Sequence, residues 1–475
     1  MSISVVLQPR PTAADRFIVP LDGIGATDAA RVGPKAANLA ALAHAGLPTP
    51  GGFCLTADAY LGQITTLGLD DMVAQFAAAD PREQRRLSVE IKLALYEQPI
   101  VPGILEPLRD AWHAQRAASG KPCAVRSSAL IEDRTGANFA GQFESFLGID
   151  DEAAFLTAVR ACWAALWTTN ARRYMDNHGL SPADTAMAVL IQPLVDARAS
   201  GGGLSENAEG QMLLSATWGL GSAIAQGEVV PDRIVLTRQG FLRANEAGRK
   251  HHRDICGHGA SGVANGIANG RNGVGPQAVP RELVDKPCLD AGEAVTLGRM
   301  LRKAQAVFGM PIEIEWALDE DGFKLLQARL LPPPYPSPQA GEGQSIYPPP
   351  LAGEGRVGAV VPDDIWLQHP GLNGHPAGIG WGSGRAVVVN CECELTRIAP
   401  GDILVTRVAG PALSHVLPRV AGVVAELGGS TSHLASLARE RGIPMVLGVR
   451  DATQKIPDGA QVAVDGVVGI VRWIS

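Results

Sequence analysis

The chain has 475 residues, of which 46% are apolar, and a formal net charge of -7. This length predicts two or three domains with sizeable cores, and the negative charge argues against a general nucleic-acid surface. No apolar run reaches the length that spans a membrane, and the start lacks a charged segment followed by an apolar one. We therefore expect a cytoplasmic protein with no nucleic acid and no membrane among its partners.

The cysteines give little support for disulfides. There are seven, an odd number, without the spacing of a disulfide framework, and this favours a reducing compartment. Cys391 and Cys393 lie two residues apart with no second pair, which is a weak metal signal. A further group precedes a glycine-rich run: His251, His252, Cys256 and His258. Its spacing fits no standard zinc pattern, so we expect a mobile surface loop, with an incidental metal site as the alternative.

The first strong local pattern is a helix that begins near Gly33. Pro34 suits the first helical position, and leucines at helical spacing supply an apolar face up to Gly46. Lys35 lies in the first turn, where the helix dipole disfavours a cation, and a nearby anionic ligand would compensate for that cost. A solvated lysine is the simpler interpretation of Lys35 taken alone.

The next candidate segment is CAVRSSALIEDRTGANFAGQFESFLGI, which begins at Cys123. Its first residues predict the end of a buried strand, and Arg126 follows beside two serines and a glycine-containing loop. A guanidinium in that place can pair with two phosphate oxygens while backbone amides cover them. An ion pair of Arg126 with Glu132 or Asp133 explains the residue equally well.

Two regular elements and a loop are predicted beyond this segment. An amphipathic pattern predicts one long helix from Asp151 to about Asn177. Residues 187–195 predict a strand, and Gln192 lies near its end, where a side-chain amide can contact an adenine edge. The following ASGGGLSENAEG predicts a loop.

The sequence PIEIEWALDEDGFKLLQARL predicts two alternating strands joined by a turn at residues 319–322. Glu313 and Glu315 share one face of the first strand, and Gln327 and Arg329 share one face of the second. A hairpin could bring Glu315, Gln327 and Arg329 together. Carboxylate and amide oxygens suit Mg²⁺, and a guanidinium suits phosphate, although cross-strand ion pairing is an alternative.

Residues 331–360 differ in composition from both flanks. YPSPQAGEG recurs there as YPPPLAGEG, and the segment is rich in Pro and Gly without an apolar period. We predict an extended, semi-flexible linker. Recognition of its Pro-rich runs by a partner is a weaker alternative.

The remaining residues alternate short apolar strands with glycine turns, and His433 lies at one such turn. Residues 420–425 predict a buried strand, Thr431 and Ser432 offer hydroxyls at a helix start, and Gly442 fits the helix end. Backbone N–H groups and the helix dipole favour an anion at this place. A neutral imidazole there can attack phosphorus and carry a phosphoryl group. A capping histidine without chemistry is the alternative.

Several segments, which together cover most of the chain, resemble one family. GGSTSHLASLARERGIPMVLG, residues 428–448, is similar to the phosphohistidine segment of the phosphoenolpyruvate-utilising enzymes, which include phosphoenolpyruvate synthase, pyruvate phosphate dikinase and rifampicin phosphotransferase. In that register His433 is the phospho-carrier. VGPKAANLAALAHAGLPTPGGF, the Arg126 segment and the hairpin resemble the nucleotide-binding domain of the same family. The resemblance implies that Glu315 and Gln327 hold Mg²⁺. It also implies ATP contacts from six residues: Lys35, Arg126, Gly141, Ser145, Gln192 and Arg329.

Three positions depart from the family pattern. The family usually has Gly where Pro34 stands and Thr where Ser145 stands, although serine keeps the hydroxyl. ASGGGLSENAEG lacks the family's Phe-Thr/Ser and Pro, so the cover over the nucleotide can differ here.

The resemblance implies an α/β (α+β) fold class. An ATP-grasp nucleotide-binding domain covers residues 1–330, the Pro/Gly linker covers residues 331–360, and a small swivelling β/α phosphohistidine domain covers residues 361–475. It implies a dikinase-type half-reaction, in which His433 attacks the β-phosphorus of ATP and AMP leaves. Loss of phosphate then leaves phosphohistidine.

The phosphoryl acceptor is not specified by these motifs. Family members carry a pyruvate-binding barrel or a drug-binding domain, and neither is visible in this sequence. We therefore expect a small-molecule acceptor or a separate acceptor-domain subunit. Two other functions stay open: a non-catalytic, nucleotide-gated interaction module predicts ATP binding without AMP, and an ATP-grasp carboxylate–amine ligase predicts ADP and no role for His433.

Overall fold

The computed structural model describes residues 16–132, 139, 141–207, 209–256, 274–331 and 369–474. Backbone compactness divides the chain into two units. The first comprises Met1–Arg134, Gln142–Val195 and Cys256–Val274, and the second comprises Thr135–Gly141, Asp196–Ile255 and Gly275–Ser475. The domain boundaries at residues 330 and 360 stay a prediction, because the repeat-containing linker lies outside the described residues. No described helix is long and apolar enough to cross a membrane.

The first unit is a five-stranded antiparallel sheet with helices packed on it. In spatial order the sheet is β1-β2-β5-β3-β4. Its strands are β1 (Ile18–Pro20), β2 (Phe53–Leu55), β3 (Cys123–Ala129), β4 (Ser145–Ile149) and β5 (Met187–Pro193). Its helices are α1 (Ala29–His44), α2 (Ala57–Thr66), α3 (Asp70–Ala78), α4 (Pro81–Glu97), α5 (Pro102–Ser119), α6 (Glu152–Ala165) and α7 (Thr169–Asp176). Single 3-10 turns lie at Ile24–Thr27 and Pro182–Asp184.

Helix α1 begins earlier than the sequence predicts and is kinked at Gly33. The side chain of Asp28 caps it by accepting a hydrogen bond from the Ala30 N–H at 3.0 Å. Gly33 has φ +74°, and a Cβ atom there would stand 2.3 Å from the Ser128 carbonyl oxygen. Only glycine fits this close approach. Pro34 therefore starts the regular part of the helix, as predicted, and brings Lys35 into its first turn.

The long helix predicted over Asp151–Asn177 is wrong, because the segment forms two helices, α6 and α7. Thr168 makes the break: its hydroxyl donates to the Ala165 carbonyl at 2.9 Å and accepts from the Ala171 N–H at 3.3 Å. Threonine side chains compete with the backbone in this way and favour helix starts over helix interiors. The apolar face of this segment is buried, and it is formed by Phe155, Val159, Cys162, Trp163 and Leu166.

The second unit contains two larger sheets. A six-stranded antiparallel sheet has the order β13-β12-β6-β7-β8-β9, and an eight-stranded sheet has the order β14-β21-β20-β16-β17-β18-β19-β15. The first is built from β6 (Ala199–Leu204), β7 (Met212–Trp218), β8 (Asp232–Leu236), β9 (Leu242–Glu246), β12 (Ile312–Asp319) and β13 (Gly322–Leu330). Strands β10 (His252–Cys256) and β11 (Val274–Ala278) form a separate ribbon. The accompanying helices are α8 (Ser222–Ala225) and α9 (Ala291–Phe308), with a 3-10 turn at Arg281–Leu283.

The eight-stranded sheet is built from the last hundred described residues. Its strands are β14 (Gly371–Asn373), β15 (His375–Gly378), β16 (Trp381–Val389), β17 (Ile403–Thr406), β18 (Gly422–Ala425), β19 (Met445–Leu447), β20 (Gln461–Asp465) and β21 (Ile470–Ile474). Strands β16, β17, β18 and β19 run parallel. Helices α10 (His433–Arg441) and α11 (Ala452–Lys455) complete it, with 3-10 turns at Glu392–Arg397, Pro411–His415 and Leu417–Arg419. The short strands and helices match the predicted β/α character.

The ASGGGLSENAEG segment corrects the sequence prediction. Its first six residues are not a loop but the fully buried strand β6, which pairs with β12 and β7. Gly201 is required, because a Cβ there would stand 1.8 Å from the Ser215 carbonyl oxygen. A run of glycines predicts a loop by composition, whereas here it allows close packing on both faces of a central strand.

The cysteine prediction is also wrong at one place. Cys391 and Cys393 form a disulfide and are exposed, just after β16. Four of the other described cysteines are buried, and Cys256 is partly exposed. A separation of two residues is not a usual framework spacing, so the sequence did not suggest this pairing.

A buried ion pair lies at the first residue of β8. Lys250 and Asp232 are fully buried and contact each other directly. The Asp232 carboxylate also accepts hydrogen bonds from the Gly248 N–H at 2.8 Å and the Cys288 N–H at 2.6 Å. This carboxylate therefore joins three chain segments, and removing it would leave an uncompensated buried ammonium group.

We predict that Asp232→Ala lowers the free energy of unfolding by about 3–5 kcal/mol, because it strands the buried charge of Lys250. Urea denaturation followed by circular dichroism measures the change. Glu83→Ala, which breaks an exposed helical ion pair with Arg86, is the control and should shift the transition little. Equal shifts for the two variants would contradict this prediction.

Candidate active site

Lys35 is buried, which rules out the solvated-lysine interpretation. It is 8% exposed, and its Nζ lies 3.3 Å from the Glu132 carboxylate. The same ammonium group donates to the Ser127 carbonyl. Glu132 is therefore a partner of Lys35.

Arg126 lies in the middle of β3 and not at the strand end that the sequence predicted. It pairs with Ser145 of β4 on one side and Leu190 of β5 on the other. Gln192 pairs with Ala124, two residues from Arg126, so Arg126, Ser145 and Gln192 share one face of the sheet. Gln192 is 3% exposed and donates from Nε2 to the Gly51 carbonyl at 3.3 Å.

Helix α1 covers the same face of that sheet. Ala188 and Leu190, which share the face of Arg126, pack in one core cluster with Ala36 and Leu39 of α1. The structure therefore gathers four predicted ATP contacts around one face of the first unit: Lys35, Arg126, Ser145 and Gln192. Two cations, a hydroxyl and an amide on one surface suit a polyanion with a base attached.

The hairpin of β12 and β13 has the predicted turn, and a β-bulge between Glu315 and Trp316 shifts its register by one residue. Glu315 stands opposite Gln327, and Glu313 stands opposite Arg329. Residues directly opposite in an antiparallel pair share a face, so these four side chains lie on one face of the second unit. Gln327 is 4% exposed and Glu313 is 8% exposed, whereas Glu315 and Arg329 are partly exposed.

The turn that carries the histidine packs on that face. Gly202 of β6 stands opposite Glu315. The Thr431 side chain occupies the space that a side chain at residue 202 would need, because a Cβ at Gly202 would lie 2.5 Å from the Thr431 Cβ. The Gly428 N–H donates to the Val229 carbonyl at 3.0 Å. The residues between Gly428 and His433 therefore pack on β6, next to the strand β12 that carries Glu315.

His433 is the first residue of α10. Ser432 is the N-cap and accepts from the Ala435 N–H at 3.3 Å, and Gly442 ends the helix in the left-handed conformation. These caps confirm the helix start and end that the sequence predicts. The backbone of Gly141 lies against the imidazole, because a Cβ there would stand 2.9 Å from the His433 Nδ1. The predicted glycine therefore provides room beside the ring at φ +67°.

The oxygen donors of the hairpin fit a magnesium ion. Glu315 and Gln327 offer a carboxylate and an amide oxygen from directly opposite positions. Mg²⁺ commonly takes one or two protein oxygens and completes its shell with phosphate and water. Within the described part of the chain, no group of three or more His, Cys, Asp or Glu side chains could hold a metal, and His258 of the candidate histidine–cysteine cluster lies outside it.

The predicted site residues thus fall into two sets, one in each unit. Lys35, Arg126, Ser145 and Gln192 belong to the first unit, and Gly141, Glu315, Gln327, Arg329 and His433 belong to the second. Sequence reasoning missed the contacts of Gly202, Ser436 and Arg439 with this surface. A signal was present for two of them: the glycine run in β6 and the Ala-Arg pair of the histidine helix.

Two family models match the chain. One, "Pyruvate phosphate dikinase, AMP/ATP-binding domain", matches residues 29–332, and the other, "PEP-utilising enzyme, mobile domain", matches residues 398–469. The protein therefore combines a nucleotide-binding domain with a histidine-bearing domain of the mobile type. It belongs to the family of phosphoenolpyruvate-utilising enzymes.

Curated relatives align with almost the whole chain. The phosphoenolpyruvate synthase of Pyrococcus furiosus is 28% identical over 503 residues, which cover 96% of this chain and 59% of that protein. A probable phosphoenolpyruvate synthase of Methanothermobacter thermautotrophicus is 30% identical and covers 96% of this chain and 63% of its own length. The Escherichia coli phosphoenolpyruvate synthase is 29% identical, and the alignment covers 95% of this chain and 56% of that protein. The chain spans about three fifths of the length of these relatives.

We predict that Gly141→Ala displaces the imidazole of His433, because the new Cβ would stand 2.9 Å from Nδ1. The rate at which diethyl pyrocarbonate modifies His433, read by peptide mass spectrometry, should rise severalfold. Gly120→Ala is a matched control, since Gly120 has φ +63° and no atom within 4 Å of the added Cβ. An unchanged modification rate in Gly141→Ala would refute the contact.

His375 of β15 lies in an environment that shifts its pKa. Its pKa is lowered from 6.5 to about 4, first by burial and then by the charge of Arg233. Arg249 acts in the same direction, whereas the carboxylates of Glu246 and Asp232 oppose these effects. The folded protein therefore holds this ring neutral.

We predict that the protein loses stability as the pH falls from about 6.5 towards 4, because only the unfolded chain protonates His375 in that window. The loss is at most about 3 kcal/mol, and less where water screens the partly exposed ring. Urea midpoints at several pH values measure it. His375→Gln should remove this part of the pH dependence, and the exposed His44→Gln should not.

Proposed function

We propose that the protein is an ATP-dependent phosphotransferase, or the phospho-carrier component of one, that forms phosphohistidine at His433 and releases AMP. One observation supports this most: His433 opens a capped helix whose turn is docked on the strand face of Glu315, Gln327 and Arg329. A nucleophile, oxygen donors for a metal and a cation for phosphate are thereby joined in one unit. Membership of the family supports the same reaction.

The nucleophile in this proposal is Nε2 of a neutral imidazole. Because Nδ1 lies against Gly141, we assign the attack to the other nitrogen. Its lone pair forms a bond to the β-phosphorus of ATP, and the bond from that phosphorus to the oxygen shared with the α-phosphate breaks. AMP leaves with that electron pair. The pyrophosphoryl group on His433 then loses its terminal phosphate to water, and phosphohistidine remains.

The chain's charged side chains serve the polyphosphate. Lys35 and Arg126 of the first unit and Arg329 of the second are proposed to supply positive charge for the phosphates. Gln192 is proposed to contact the adenine, and Ser145 and Gly141 to contact ATP. Bound Mg²⁺, held by Glu315 and Gln327, would supply further neutralisation of the phosphates.

The backbone of α10 contributes at the product stage. The first turn of a helix presents unpaired N–H groups and the positive end of the dipole, which favour a phosphoryl group on the first residue. The phosphoryl group then passes to an acceptor, which we propose to be a small molecule or a separate acceptor-domain subunit. The transfer restores the neutral imidazole.

We predict that protein incubated with Mg²⁺ and ATP labelled at the β-phosphorus retains acid-labile label on His433 and releases AMP. Label at the γ-phosphorus should appear in free phosphate. His433→Asn should abolish both label and AMP, since asparagine cannot carry the group, whereas His415→Asn, an exposed histidine of the same domain, should leave them intact.

The other two functions give different products in the same experiment. ATP binding without AMP or label would support the nucleotide-gated module and contradict the phosphotransferase. ADP formation that survives His433→Asn would support the carboxylate–amine ligase.

A further inference from the structure

Glu313 lies two residues before Glu315 on the same face of β12, and it has no part in the proposed chemistry. Its carboxylate is 8% exposed and both oxygens are bound by α10. Oε2 accepts a hydrogen bond from the Ser436 hydroxyl at 2.8 Å, and Oε1 lies 3.1 Å from Nη2 of Arg439. A nearly buried carboxylate is thus held at two points by one short helix.

The contact residues follow His433 along the helix surface at regular spacing. His433, Ser436 and Arg439 are three residues apart in turn, and residues three apart are neighbours on a helix. Two contacts on one row fix both the translation of α10 along its axis and its rotation. The position of the imidazole at the start of that row is fixed with them.

Arg439 extends the contact to the rest of the histidine-bearing domain. Its Nη1 donates to the Ser430 carbonyl, in the turn just before His433, and to the Ala377 carbonyl at 3.3 Å. Its Nη2 also lies 3.2 Å from the Ser436 hydroxyl. Glu313 therefore contacts an arginine that is hydrogen-bonded to the histidine turn. The side chains of Glu313, Ser436 and Arg439 form one hydrogen-bonded network.

We infer that Glu313 is a positioning residue, which sets the place of His433 relative to the predicted metal ligand Glu315 by binding Ser436 and Arg439. The inference rests on the proposed function and deepens it. Charge-assisted hydrogen bonds of this kind keep their geometry better than apolar contacts, because they depend on direction as well as distance. Glu313 acts through α10 and does not touch the reacting atoms.

The test uses the full-length chain with Glu313→Gln. We expect the rate of β-label incorporation at saturating ATP to fall about 10- to 100-fold, the range for losing hydrogen bonds to a charged group. The ATP concentration for half-maximal rate should change less than about threefold, because Glu313 is not assigned to the nucleotide. Glu320→Gln, the same substitution at an exposed position of the same hairpin, is the matched control and should keep the wild-type rate.

Ser436→Ala separates positioning from general stability. This variant should fold normally and be labelled more slowly. The double variant with Glu313→Gln and Ser436→Ala should be no slower than Glu313→Gln alone, because both changes disrupt the same network. If the two effects multiply, or if Glu313→Gln weakens ATP binding as much as it slows labelling, the inference is wrong. If Glu313→Gln does not fold, wild-type labelling by Ser436→Ala overturns the inference and slowed labelling supports it.

Hydrogen exchange distinguishes failure of this inference from failure of the proposed function. If the wild-type protein gives no label, the phosphotransferase proposal fails, yet the contact can still be measured. Backbone amides of residues 433–441 should then exchange faster in Glu313→Gln than in the wild type and be unchanged in Glu320→Gln. Equal exchange in all three proteins would show that Glu313 does not hold the helix.

Discussion

The close approach of Thr431 to Gly202 is the contact on which the second unit's site depends. No side chain fits between the histidine turn and β6, since a Cβ at Gly202 would stand 2.5 Å from the Cβ of Thr431. This contact brings the first turn of α10 over the face that carries Glu315 and Gln327. Two further contacts hold the histidine turn on either side. Before the turn, the Gly428 N–H donates a hydrogen bond to the Val229 carbonyl. After it, Arg439 forms an ion pair with Glu313.

The local elements around His433 could be predicted because their signals are local. Ser432 and Gly442 are cap residues with a direct stereochemical reason, and the alternation in the hairpin fixes which side chains share a face. The caps and the alternation within each strand need no knowledge of the rest of the chain. The pairing of Glu315 with Gln327 does not follow from the short turn alone, because a β-bulge between Glu315 and Trp316 shifts the register by one residue.

Other features depend on residues distant in sequence and could not be predicted. The burial of Lys35 results from Glu132, nearly a hundred residues away, and the strand character of the glycine run results from β7 and β12 on its two sides. Arg126 was placed at a strand end because its small neighbours resemble a loop, whereas β4 and β5 extend the strand past it. Thr168 is a residue that favours a helix start, but the apolar periodicity continues on both sides of it, so the sequence pattern predicted one helix.

The disulfide of Cys391 and Cys393 closes a ring around a single intervening residue. Such a ring removes little conformational entropy from the unfolded chain, because the entropy of a crosslink grows with the length of the loop it closes. The sheet that contains β16 therefore does not rely on this bond for its architecture. An exposed, locally closed disulfide is instead accessible to exchange with dissolved thiols.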